Sequence, residues 1–143
     1  MIHYEMLEKN QTVNAELYIQ QMWRLKEAIQ RNRPNLMQHG VLLQHDNARP
    51  HISKLTKAAI QEIGWEILPH PPYSPDLAPT DFHLFRSLSS NLRGVSFDDN
   101  EELKVWLDNF FGSKSSDFYR SGIEKLVERW DKVVKSEGEY IID

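Results

Sequence analysis

The chain contains no cysteine in its 143 residues. That excludes disulfides and thiolate metal sites, and it suits a reducing compartment. No apolar run approaches the roughly 18–20 residues that span a bilayer, so no membrane segment is expected. Met1-Ile2-His3-Tyr4-Glu5 lacks the basic and then apolar regions of a secretory leader. Excess positive charge is also missing. Lys and Arg number 17 against 21 Asp and Glu, a net charge of −4. This argues against a broad, basic, non-specific DNA-binding face. Any nucleic-acid contact must use local basic groups, a metal, or a segment outside these residues. No internal repeat or low-complexity tract is present. With 40% apolar and 27% charged residues, the composition is that of a globular domain able to bury a core.

The apolar periodicity predicts an α/β order of elements. Ile2 to Leu7 reads as a short strand beginning without a preceding loop, which leads us to expect further sequence upstream. Asn14 is a good N-cap for a helix whose stripe is Tyr18, Met22, Leu25 and Ile29, ended by Arg31-Asn32-Arg33-Pro34. Gly40 to His45 reads as a buried strand. A helix follows with Ile52, Leu55, Ala59 and Ile63 on one face, closed by Gly64. Trp65 to Leu68 reads as a third strand. Residues 69–79 hold five of the seven prolines and form an ordered, irregular loop. Thr80 is the expected cap of a helix carrying Phe82, Phe85, Leu88 and Leu92, broken at Gly94. Asn100 is the expected cap of a helix with Leu103, Trp106, Leu107 and Phe110. Ser115 or Ser116 opens a last helix with Ile123, Leu126, Val127, Trp130, Val133 and Val134. Tyr140-Ile141-Ile142 is a short strand or a docked tail. The Trp and Phe residues, being at helical spacing, are read as core.

Two aspartates stand out. Asp46 lies just past the C-terminal end of a predicted central strand, where open α/β sheets build their sites. Asp81 opens a helix beyond the proline loop, with 34 residues (47–80) between the two. Each has an ordinary structural reading: Asp46 as an Asx-turn or cap, Asp81 as a helix-start acid favoured by the dipole. Together, two hard carboxylates from separate elements suit a divalent cation such as Mg²⁺. A pair of such ions supports phosphodiester chemistry, although a third acid normally bridges them. Arg49 is a candidate phosphate contact, or equally an ion-paired surface arginine. Asn47, His51 and His83 flank the acids. The six histidines show no zinc-type spacing, and no Gly-x-Ser-x-Gly elbow supports a serine hydrolase. Arg24, Lys26, Arg31 and Arg33 make the first helix basic at its end, which reads either as a face for a nucleic-acid backbone or as the solvated charge cluster common at helix C-termini.

The segments His45-Asp46-Asn47-Ala48-Arg49-Pro50-His51 and Pro69-His70-Pro71-Pro72-Tyr73-Ser74-Pro75-Asp76-Leu77-Ala78-Pro79-Thr80-Asp81-Phe82-His83-Leu84-Phe85 resemble the signature of mariner-type transposases. In one fusion protein the same domain is joined to a histone methyltransferase. The likeness runs along nearly the whole chain. It implies a partial RNase H-like core of the DDE/D class over residues 1–97, with three visible strands, and a helical C-terminal part over 98–143. It implies a two-metal site using Mg²⁺ or Mn²⁺, DNA with terminal inverted repeats as substrate, and action in the nucleus. Homodimers or other transposase subunits are the implied partners.

By position, Asp46 matches the family's second catalytic aspartate and Asp81 the third, at mariner spacing. The family's first aspartate, in an Asp-Glu-Lys-Trp type motif on its first strand, has no counterpart in these residues. Glu5 and Glu8 stand on the wrong strand to replace it. The first two strands, the DNA-binding helix-turn-helix domains and the dimerisation linker are likewise not in this sequence. The resemblance therefore carries two expectations. One is a catalytic domain that cuts and joins DNA, incomplete and inactive as an isolated chain. The other is a non-catalytic, truncated or domesticated remnant that binds DNA or transposase subunits.

Overall fold

The structure is a computed structural model describing residues 1–143. The chain divides into two compact units, Ile2–Pro72 and Tyr73–Asp143. No helix is long and apolar enough to cross a membrane.

In the first unit, helix α1 spans Ala15–Asn32. Asn14 caps it, its Oδ1 accepting the Leu17 N–H at 2.8 Å, so one of the orphan first-turn donors is satisfied. The expected stripe is buried at Tyr18, Met22 and Ile29. The helix does not simply end at Pro34. Pro34 takes the first position of a further short helix, α2 (Pro34–His39), where its missing N–H costs nothing. Strand β1 (Leu42–Gln44) pairs in parallel with β2 (Glu66–Leu68), Leu43 opposite Ile67.

Between the strands the expected single helix is two, α3 (Arg49–Ile52) and α4 (Lys54–Ile63). They break at Ser53, whose extended ψ of 156° leaves the helical region and whose Oγ caps α4 by accepting the Thr56 N–H. That break changes the buried face. Ile52 and Leu55, expected inside, are exposed, while Thr56, Ala59, Ile60 and Ile63 are buried. Gly64, at φ +89°, ends α4 in the left-handed turn that glycine adopts without steric cost. Trp65 follows, and joins Tyr18, Met22, Ile29, Ile60 and Ile63 in one core.

Two strand expectations are corrected. Ile2–Leu7 forms no strand. Ile2 instead packs against the core, and Glu5 ion-pairs with Arg24 of α1. Side-chain anchoring to a helix gives an apolar run the same signature as a ladder would. The Gly40–His45 strand is not buried either: Leu42 is 56% exposed. A sheet of two strands has two edges, and no further strand of this chain covers them.

In the second unit, a 3-10 turn at Pro75–Leu77 leads to a π-helical segment, Thr80–Phe85, which runs into α5 (Arg86–Leu92). The cap position falls to Pro79, not to the expected Thr80, and no side chain caps the segment. The turn before it already supplies acceptors: Asp81 N–H and Phe82 N–H both donate to the Ala78 carbonyl, at 2.9 and 3.0 Å. Helix α6 spans Asn100–Ser113, and its cap is Asp99, not Asn100, with Asp99 Oδ1 accepting the Glu102 N–H at 2.8 Å. Ser115 caps α7 (Ser116–Lys135). Leu77, Phe82, Leu107, Phe110, Phe111 and Leu126 are buried. Ile123, Val127 and Val134 of the expected α7 face are exposed. Tyr140–Ile142 is a docked tail, with Ile141 N–H donating to Asp76 Oδ2 at 3.0 Å.

Candidate functional site

In the first unit the sheet delivers Asp46 two residues beyond the end of β1. Its carboxylate is held on one oxygen. Oδ1 accepts the Ala48 N–H at 3.0 Å, an Asx-type turn, and the His51 Nδ1–H at 2.5 Å. Oδ2 takes no hydrogen bond. The side chain is 60% exposed. Partial burial raises its pKa, but the Ala48 amide, the His51 hydrogen bond and the charges of His51 and His45 outweigh that, and the net shift is downward. Asp46 is thus an ionised, oriented carboxylate with an oxygen to spare.

Its neighbours form one cluster. His51 stands on α3, its ring 4.1 Å from that of Tyr18 and stacked on His45 at 5.3 Å. Tyr18 Oη pairs with His45 Nδ1 at 2.8 Å. Burial, then the negative charge of Asp46, pushes the Tyr18 hydroxyl well above its usual range, so it remains a neutral donor. Burial and the neighbouring His51 lower the pKa of His45. Tyr18 is a member of this site that sequence reading did not single out, and His45 entered that reading only as a flanking residue of the motif. Tyr18 was legible only as a core residue of α1, because nothing in its spacing shows that its hydroxyl meets a strand-end histidine. Asn47 anchors the turn by donating to the His70 carbonyl at 3.0 Å. Arg49 opens α3, exposed and without a carboxylate partner.

In the second unit Asp81 is exposed on the π-helical segment. It lines a cavity with Asp76, Phe82, Arg86 and the tail. His83, two residues on, turns to α7. Its Nε2 donates to the Phe118 carbonyl at 2.7 Å, and its ring lies where a Cβ on Gly122 would sit 2.3 Å away. In this unit His83 is a helix-packing residue. Asp76 is buried with Oδ1 unpaired, an arrangement that costs free energy and that sequence reading did not foresee.

Carboxylate oxygens such as those of Asp46 are the hard donors that Mg²⁺ and Mn²⁺ prefer. The chain gathers no group of three or more His, Asp or Glu side chains that would hold a metal ion. Its residues therefore fit as individual ligands and do not build a complete cage.

A family model described as transposase (partial DDE domain) matches residues 1–39. The chain is 46% identical over 143 residues to the mariner Mos1 transposase of Drosophila mauritiana, covering 99% of this chain and 41% of that protein. It is 40% identical over 141 residues to the human histone-lysine N-methyltransferase SETMAR, covering 98% of this chain and 21% of that one. The chain thus spans less than half the length of either relative. Among solved structures, the Mos1 transposase catalytic domain with raltegravir and Mn matches with a TM-score of 0.96 at 46% identity, covering 99% of this chain and 72% of that one. A pre-cleavage Mos1 transpososome matches with a TM-score of 0.95 at 44% identity, covering 99% of this chain and 42% of that one. With this identity sustained over most of a solved catalytic domain, the chain belongs to the mariner transposase family, and its fold is that family's RNase H-like catalytic fold.

Proposed function

We infer that the chain serves in the catalytic domain of a mariner-type transposase that cleaves DNA at terminal inverted repeats and joins the ends to target DNA. The observation that carries this reading is Asp46: an ionised carboxylate at a strand end, tied on one oxygen by Ala48 and His51 and unbonded on the other. Asp46 and Asp81 are the proposed metal carboxylates. When bound, Mg²⁺ or Mn²⁺ would activate the attacking water or 3′-hydroxyl and stabilise the leaving oxygen. The chain's own residues do the rest. His51 orients Asp46 and holds its proton at Nδ1, Asn47 fixes the turn, and Arg49 meets a backbone phosphate. The structures of Mos1 with Mn or Mg and with a transposon end support the metal and DNA assignments by kinship. The proposed setting is the nucleus, with a second transposase subunit as partner.

A second reading, a non-catalytic module that binds DNA or transposase subunits, is favoured by Arg49, which is exposed and has no carboxylate partner. The chain joined to a mariner first strand that carries the Asp-Glu-Lys-Trp type motif, incubated with labelled terminal-repeat duplex and Mn²⁺, separates the two. Metal-dependent nicking abolished by Asp46→Asn supports the catalytic reading. Salt-sensitive binding without nicking, weakened by Arg49→Ala, supports the module. Neither nicking nor binding would sink both.

A further inference from the structure

We propose that the C-terminal segment Tyr140–Asp143 is a strap that positions Asp81, with Arg129 of α7 as the positioning residue that ties it down. The proposal rests on the reading of Asp81 as a metal carboxylate only for its consequence in catalysis. The mechanical part stands on geometry alone.

Asp81 sits on a π-helical segment. Such wide turns are rare, concentrate at functional sites, and persist where their surroundings over-determine them. Here the determination comes from one hub. Arg129 Nη1 donates to the Asp76 carbonyl at 3.0 Å, its guanidinium lies 4.1 Å from the centre of the Phe82 ring, and Nη2 donates to Asp143 Oδ2 at 2.7 Å. The same Asp143 oxygen meets Arg86 Nη1 at 3.1 Å. Asp76 Oδ2 in turn accepts the Ile141 N–H at 3.0 Å.

The chain is therefore pinned at Asp76 before the π-helical segment, at Phe82 beside Asp81, and at Arg86 where the segment ends. All three pins run through the tail or through the arginine that holds it. Arg129 has only 12% of its side chain exposed. A planar guanidinium can fork to two acceptors while stacking on a ring; an ammonium cannot. Asp81 lines the cavity that the tail helps to close, so releasing the tail frees the wall on which Asp81 stands.

Amide hydrogen exchange on the full chain tests this. In Asp143→Ala, the amides of residues 81–86 are expected to exchange about tenfold faster, the equivalent of one or two charge-assisted hydrogen bonds, while those of α1 and α4 hold their rates. Arg129→Lys should do the same, and Asp143→Glu, which keeps the carboxylate, should restore protection. Unchanged rates at 81–86 in Asp143→Ala, or equal acceleration throughout residues 73–143, would overturn the strap. A Mn²⁺ titration followed by electron paramagnetic resonance adds the catalytic arm. Weaker Mn²⁺ binding in Asp143→Ala, with affinity for terminal-repeat DNA unchanged, links the strap to the metal carboxylate. If Asp81→Ala leaves Mn²⁺ binding unchanged, the reading of Asp81 as a ligand fails, while the exchange data still decide the strap.

Discussion

His51 Nδ1 stands 2.5 Å from Asp46 Oδ1, and the same oxygen takes the Ala48 amide at 3.0 Å. The pair orients the carboxylate more than it stabilises the fold, because Asp46 is 60% exposed and water screens it. Asp46→Asn keeps an acceptor for Ala48, so its unfolding free energy should stay within about 0.5 kcal/mol of the parent. His51→Ala also loses ring packing on Tyr18 and should cost about 1 kcal/mol. A double-mutant cycle by urea denaturation should return a coupling below about 1 kcal/mol. A coupling of several kcal/mol would show the pair to be a structural element.

The same cluster sets a pH dependence. His45 has its pKa lowered from 6.5, so below that value the unfolded chain takes a proton that the folded chain refuses. Stability is full above about 6.5 and declines as pH falls toward the folded value. Asp46, lowered from 3.8, adds stability that is full above that value and is lost as pH falls through the folded one. Thermal melts between pH 8 and 3 should therefore fall in two stages. His45→Gln should remove the upper stage and leave the lower. An unaltered upper stage in that variant would assign it to another group.

Gly122 of α7 has no room for a methyl group. A Cβ there would lie 2.3 Å from the His83 ring, which cannot swing away without losing its bond to the Phe118 carbonyl. Gly122→Ala gains roughly 1 kcal/mol of helix propensity but meets an overpacking cost of about 1–3 kcal/mol, so net destabilisation is expected. His83→Ala in the same chain should relieve the clash, giving a double variant more stable than the two single losses sum to. Simple additivity would show that His83 moves aside freely.

The helix caps separate near neighbours in sequence. Asp99→Ala and Ser115→Ala should each cost about 1 kcal/mol, as lost caps do, because Asp99 Oδ1 and Ser115 Oγ hold the Glu102 and Phe118 amides. Asn100→Ala should cost much less, since Asn100 is the first helical residue. Chemical denaturation of the three variants checks the order.

Much was legible in the order of residues. The Asn14 cap, the Tyr18–Met22–Ile29 stripe, the Gly64 stop and the helical C-terminal part depend on residues within a turn or two of one another. Local spacing carries such information. The motif residues Asp46 and Asp81 were legible for a related reason, since their flanking sequences are long and specific.

Other features were decided only by packing. Ile2–Leu7 has the composition of a strand, yet whether it joins a ladder depends on partners distant in sequence, and here its side chains serve α1. Ile52 and Leu55 look buried until Ser53 breaks the helix and rotates them outward. The Tyr18–His45 contact spans 27 residues and the Arg129–Asp76 contact 53, beyond the reach of periodicity. Motif and local spacing were enough for the family and for the Asn14 cap, but not for the caps of α6 and of the π-helical segment. What holds each acid in place is visible only in the packed chain: Ala48 and His51 for Asp46, and a tail tied by Arg129 beside Asp81. The physical reason is that hydrogen bonds and stacking act over a few ångströms of space, whatever the separation along the chain.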